Sequence, residues 1–93
     1  MDKLLILYSM KGCPFCDMMK KSLNESNIDF IERDIHEHEE EYDLFVDATE
    51  NEFVPSFMII ENPLEKPETF LYAPERDYNE IDEGVQIIKE HFK

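Results

Sequence analysis

Two cysteines, Cys13 and Cys16, stand two residues apart in Lys11-Gly12-Cys13-Pro14-Phe15-Cys16, directly after an apolar run. At this spacing both sulfurs lie within bridging distance on one helical turn, so the pair can pass between dithiol and disulfide. Leu4-Leu5-Ile6-Leu7-Tyr8 reads as a buried strand, and the residues from Phe15 onward read as an amphipathic helix. A Cys-x-x-Cys at a strand-to-helix junction is a redox motif. Its first cysteine lies where unpaired backbone N–H groups and the helix dipole both favour negative charge. Lys11 adds a cation nearby and Asp17 opposes it. The helix terminus and Lys11 together are expected to hold Cys13 below the free-thiol value of about 8.5. Cys13, at the loop, is the expected nucleophile. Cys16, one turn into the helix, is expected to be more sheltered and to resolve a mixed disulfide.

The same pair is also half of a zinc site, with His36 and His38 as the other ligands. A His-x-His spacing matches the usual zinc patterns poorly, so both histidines read as solvated residues at a helix start. Val54-Pro55 is the second chemical feature. An X-Pro at the head of a strand is a candidate for a cis bond. Beside a dithiol it would present the Val54 backbone N–H and C=O to an extended substrate for β-type pairing. The alternative is a plain edge-strand proline. The Cys-x-x-Cys tips the reading toward cis.

These residues need elements to hold them. A first strand over 3–8 lacks polar alternation and is expected at the centre of a sheet. Residues 9–12 form the turn, where Gly12 permits positive φ. A helix over 14–24 opens on Pro14, at a position that needs no N–H. Phe15, Met19 and Leu23, with Met18 beside them, predict its buried stripe. After a polar break at 24–27, Ile28, Phe30 and Ile31 begin a second strand that ends near Asp34. Asp34 and Glu37 have capping-box spacing for a second helix. The acidic run Glu37, Glu39, Glu40 and Glu41 falls in its first turns, Tyr42, Phe45, Val46 and Thr49 share one face, and Asn51-Glu52 end it. Residues 56–61 and 69–72 predict a hairpin across the proline-bearing turn 62–67. Asp77 and Glu80 repeat the capping-box spacing before a last helix with Tyr78, Ile81, Val85, Ile88 and Phe92 apolar. Gly84 inside that helix costs about 1 kcal/mol relative to Ala, which close packing on the sheet would explain. The order β-α-β-α-β-β-α gives an α/β fold, a four-stranded mixed sheet with three flanking helices, and resembles the thioredoxin arrangement.

Bulk properties narrow the function. The 93 residues suit one compact domain over 1–93, and a hydrophobic content of 42% supports a small core. A net charge of −14 leaves no basic patch to displace counterions, which argues against nucleic acid as a partner. The acidic surface favours solubility, or a partner with a positive face. The first apolar run, about five residues, is too short for a secretory segment or a membrane span. Two close cysteines fit a reducing compartment better than a disulfide scaffold. A soluble cytoplasmic monomer without a membrane partner is expected.

Tyr8-Ser9, then Cys13-Pro14-Phe15-Cys16, then Val54-Pro55, then an Asp opening the last helix together resemble a dithiol glutaredoxin, over nearly the whole chain. The resemblance implies an enzyme that reduces protein disulfides or glutathione mixed disulfides, with Cys13 as nucleophile, Cys16 as resolving thiol and Pro55 as cis-proline. It implies glutathione as reductant or substrate, no metal, and a disulfide-cycling client such as a ribonucleotide reductase. A thioredoxin-type electron source is the other possibility. Phe15 takes the place of the family's tyrosine beside the glutathione groove. Val54 would pair with the cysteinyl part of glutathione, and Asp77 matches the acidic residue near its γ-glutamyl amine. Three positions depart from the family pattern. Met10 stands where a lysine usually follows the Tyr-Ser pair, leaving Lys11 as the nearby cation. Phe53 replaces the threonine before Val-Pro. The Gly-Gly ahead of the last helix is replaced around Ala73-Pro74-Glu75-Arg76, where Arg76 is the candidate substitute cation for a glutathione carboxylate. Two other classes compete by analogy. One is an iron–sulfur-cluster-binding glutaredoxin, against which Pro14 speaks because cluster-holding relatives usually carry Gly or Ser there. The other is a non-catalytic thioredoxin-fold interaction module, against which the retained cysteine pair speaks.

Overall fold

β1 (Lys3–Ser9) is the strand around which the rest assembles, because its run Leu5-Ile6-Leu7-Tyr8 is buried on both faces. In the computed structural model, which describes residues 3–93, β1 is followed by α1 (Pro14–Glu25), β2 (Ile31–Asp34) and α2 (Glu39–Thr49). Then come β3 (Ser56–Glu61), β4 (Glu68–Tyr72) and α3 (Ile81–His91). The sheet order is β2-β1-β3-β4, with β1 parallel to β2 and antiparallel to β3, and β4 antiparallel to β3. This is the mixed sheet of the thioredoxin-like fold.

Alternation along β1 divides the core in two. Leu5 and Leu7 pack with Met19 and Leu23 of α1, Phe57 and Ile59 of β3, and Val85 and Ile88 of α3. Ile6 and Tyr8 pack on the other face with Tyr42 and Phe45 of α2 and with Ala73. At the far end of α3, His91 joins the strands. Its Nδ1 lies 2.7 Å from a Glu61 carboxylate oxygen and its Nε2 lies 2.7 Å from the Tyr72 hydroxyl.

Gly84 is buried where α3 meets α1. A Cβ there would stand 2.9 Å from the Met19 Cε and 3.0 Å from the Tyr78 ring. The methionine end can move, but the Tyr78 ring is held by a hydrogen bond from its hydroxyl to the Pro55 carbonyl. Gly84→Ala is therefore expected to lower stability by about 1 kcal/mol, overpacking outweighing the gain in helix propensity. A urea midpoint at or above that of the parent chain would contradict this packing.

Five features differ from the sequence expectation. β2 begins at Ile31, and Ile28 and Phe30 instead pack as partly buried side chains on the first core. The helix end explains why. Asn27 adopts φ 57°, its N–H donates to Asn24 O, and the Ile28 N–H reaches back to Leu23 O, which is a Schellman motif with its apolar contact. α2 begins at Glu39, not at Asp34. The Asp34 carboxylate instead accepts the His36 N–H at 2.8 Å, and the Asp34 carbonyl accepts from Glu37 and His38, so 34–38 is a turn. α2 also ends at Thr49, ahead of Asn51-Glu52, with Glu50 in the left-handed region. α3 begins at Ile81, and its capping box is Glu80 with Glu83 rather than Asp77 with Glu80. Finally, the buried stripe of α1 is Cys16, Met19 and Leu23; Phe15 and Met18 are 59% and 53% exposed.

Candidate active site

The chain leaves β1 at Ser9 and turns through Gly12, whose φ of 77° suits glycine, with the Cys13 N–H bonded to Met10 O at 3.2 Å. Cys13 is the N-cap of α1 and Pro14 occupies its first turn. The Cys16 N–H donates to the Cys13 sulfur at 3.2 Å, a side-chain cap made by sulfur. Cys13 and Cys16 are joined in a disulfide, with their Cα atoms 5.3 Å apart. Cys13 is the more accessible of the two, but narrowly, at 6% exposed against 0% for Cys16.

The Val54–Pro55 bond is cis. Pairing of Tyr8 with Ser56 sets residues 54–55 just beyond the end of β1 from which the cysteine loop departs. Two side chains fix this wall. The Tyr78 hydroxyl donates to the Pro55 carbonyl. Burial, with the Asp77 charge adding to it, pushes the Tyr78 phenol up, so it keeps its proton and stays a donor. Asn51 accepts the Phe53 N–H at 2.9 Å and donates to the Pro74 carbonyl at 2.7 Å, linking the loop before β3 to the loop after β4.

Between these loops and α1 lies a groove of about 330 Å³. Phe15 and Met18 come from α1, Phe53, Val54 and Pro55 from the loop before β3, and Pro74, Glu75 and residues 78–82 from the loop before α3 and its first turn. Of the residues the sequence singles out, Phe15, Val54 and Pro55 thus share one cleft. Arg76, Asp77 and Lys11 are placed elsewhere. The Arg76 guanidinium bonds to the Asp77 carboxylate at 2.8 Å and to the Leu71 carbonyl at 3.2 Å. Asp77 also accepts the Ala73 N–H at 2.8 Å, so it braces the end of β4. Lys11 borders a separate hollow with Asp17, Lys20, Glu32 and His38. There the Lys20 ammonium, at 2.9 Å, and the buried Ser9 hydroxyl, at 2.7 Å, hold the Glu32 carboxyl below the usual carboxylate range.

Sequence reasoning did not single out Asn51, and it read Tyr78 only as an apolar helix position. Asn51 carried a signal, since an Asn two residues before Phe53 has Asx-turn spacing. Tyr78 carried none, because a tyrosine before a helix reads equally as core. Among the described residues, no group of three or more His, Cys, Asp or Glu side chains is placed to hold a metal ion, and His36 and His38 lie on the turn before α2. No helix of the described chain is long and apolar enough to cross a membrane.

A disulfide capping a helix, beside a cis-proline at the end of a four-stranded mixed sheet, defines a thioredoxin-fold domain of the thiol–disulfide oxidoreductase kind. The glutaredoxin family model matches residues 5–61, from β1 through β3, and the chain belongs to the glutaredoxin family. Members of this family use glutathione as a reductant. No curated protein sequence matches the chain.

Proposed function

We propose that the chain is a dithiol oxidoreductase, one domain over 1–93, that reduces client disulfides through Cys13 and Cys16. The observation that carries this reading is the Cys13 sulfur at the N-cap of α1, accepting the Cys16 N–H at 3.2 Å. In the reduced protein that donor and the helix dipole favour thiolate over thiol on Cys13. The thiolate attacks one sulfur of a client disulfide, forming a mixed disulfide, and the other client sulfur leaves as a thiolate that takes a proton. Cys16 gives its proton to solvent and attacks the Cys13 sulfur, expelling the second client thiolate. Two electrons pass to the client, and the Cys13–Cys16 disulfide remains. Two glutathione molecules then restore the dithiol and leave as glutathione disulfide. The Val54 backbone beside Pro55 offers the N–H and C=O that an extended client segment needs for β-type pairing. Disulfide-cycling enzymes, ribonucleotide reductase among them, are the client class.

Alkylation by iodoacetamide, followed against pH on the reduced protein, tests the assignment of roles. Cys13 is expected to react first, with a midpoint below the free-thiol value of about 8.5. Preferential modification of Cys16, or a Cys13 midpoint at or above that value, would overturn the assignment.

A further inference from the structure

The groove that Phe15, the residue before Cys16, shares with Val54 and Pro55 has apolar walls and an acidic rim. Phe15, Phe53 and Ile81 supply apolar surface, while Glu75, Glu80 and Asp82 supply carboxylates. No Lys, Arg or His is among the residues that line it. Of the cations close in sequence to the lining residues, Arg76 bonds to Asp77 and Leu71, Lys20 pairs with Glu32, and Lys11 borders the separate hollow next to Asp17. The N-terminus of α3, which would otherwise attract an anion, already carries the chain's own Glu83 carboxylate, which accepts the Glu80 N–H at 2.8 Å and the Asn79 N–H at 3.1 Å. An anionic tripeptide such as glutathione would therefore bring its two carboxylates to a rim of three with no counter-charge. A segment with Lys or Arg beside its cysteine meets the complementary sign.

Building on the oxidoreductase reading, we infer that the groove takes a disulfide-bearing protein segment carrying an apolar residue and a basic residue next to its cysteine, in preference to anionic disulfides. The apolar residue packs against Phe15 and Phe53, and the basic one pairs with Glu75 and Asp82. The chemistry is the exchange already written, with two electrons passing from the Cys13–Cys16 dithiol to the segment's disulfide. Glutathione still recharges the protein by mass action, without needing a tight seat.

The test uses pre-reduced protein in single turnover against three probes. Two are symmetrical disulfides of one short Phe-Cys peptide flanked by Lys in one version and Glu in the other, and the third is glutathione disulfide. Each rate is divided by that of dithiothreitol, a neutral dithiol, on the same probe, which removes the intrinsic effect of charge on the leaving thiol. The Lys peptide is expected to be reduced about tenfold faster than either anionic probe at low salt, with the ratio shrinking as salt rises. The Glu75→Gln/Asp82→Asn variant, which leaves the Glu83 cap in place, is expected to cut that ratio by about threefold or more. Equal normalised rates for the three probes, or a ratio unchanged in the variant, would overturn the inference while leaving the oxidoreductase reading intact. Failure to reduce any probe would overturn the oxidoreductase reading and the inference with it.

Discussion

Cys13→Ser is expected to lower disulfide reduction by about a thousandfold or more, the scale on which loss of a covalent nucleophile acts. Cys16→Ser should behave differently. It keeps the attacking sulfur and removes only the thiol that releases the client, so it should accumulate a mixed disulfide between Cys13 and the client. The two outcomes are read together, the first by the rate of insulin reduction and the second by a mass increase that dithiothreitol reverses. Retained reduction in Cys13→Ser would end the account of this site. Absence of any covalent adduct in Cys16→Ser would point to a fold that binds without exchanging. The order of roles rests on geometry, since the Cys16 N–H bonds to the Cys13 sulfur and Cys16 itself is wholly enclosed.

Phe57→Ala is expected to destabilise the protein by about 3–5 kcal/mol, the range for emptying a buried aromatic site. Phe57 is fully buried in β3, with its ring centroid 5.1 Å from that of Tyr72 and 5.9 Å from that of Tyr78. A small domain has only about 5–15 kcal/mol of net stability, so this one change would consume much of it. The urea midpoint reports the loss directly. A change below about 1 kcal/mol would mean that the cavity closes by collapse, and that Tyr78 does not depend on Phe57 for its place.

Much of this was legible in the sequence because it is local. The strand at 56–61 is bounded by Pro55 and Asn62, and the first helix is opened by Pro14, so both were read with the right start. The cysteine pair and Val54-Pro55 were legible for the same reason, because a loop, a cap and a proline act over a few residues. The starts of α2 and α3 were not. Asp34…Glu37 and Asp77…Glu80 have the spacing of a capping box, but their aspartates are engaged by His36 and Ala73 backbone N–H groups in turns. Local hydrogen bonding by Asp competes with helix capping, and spacing alone does not decide between them. Phe15 and Met18 misled for another reason. Periodicity marks an apolar face without saying whether the core or an open groove lies against it. Arg76 and Asp77, drawn as separate contacts for a ligand, satisfy each other, a pairing that depends on how the chain bends after β4.

The Asn51 carboxamide touches both banks of the cleft, receiving an N–H from Phe53 with its oxygen and giving one to Pro74 with its nitrogen. Those banks belong to segments more than twenty positions apart along the chain, and two side chains tie them, Asn51 to Pro74 and Tyr78 to Pro55. A visitor that wedges them open works against both bonds, one at each end of the seam. The aperture available to a client is in this sense dimensioned by two uncharged side chains.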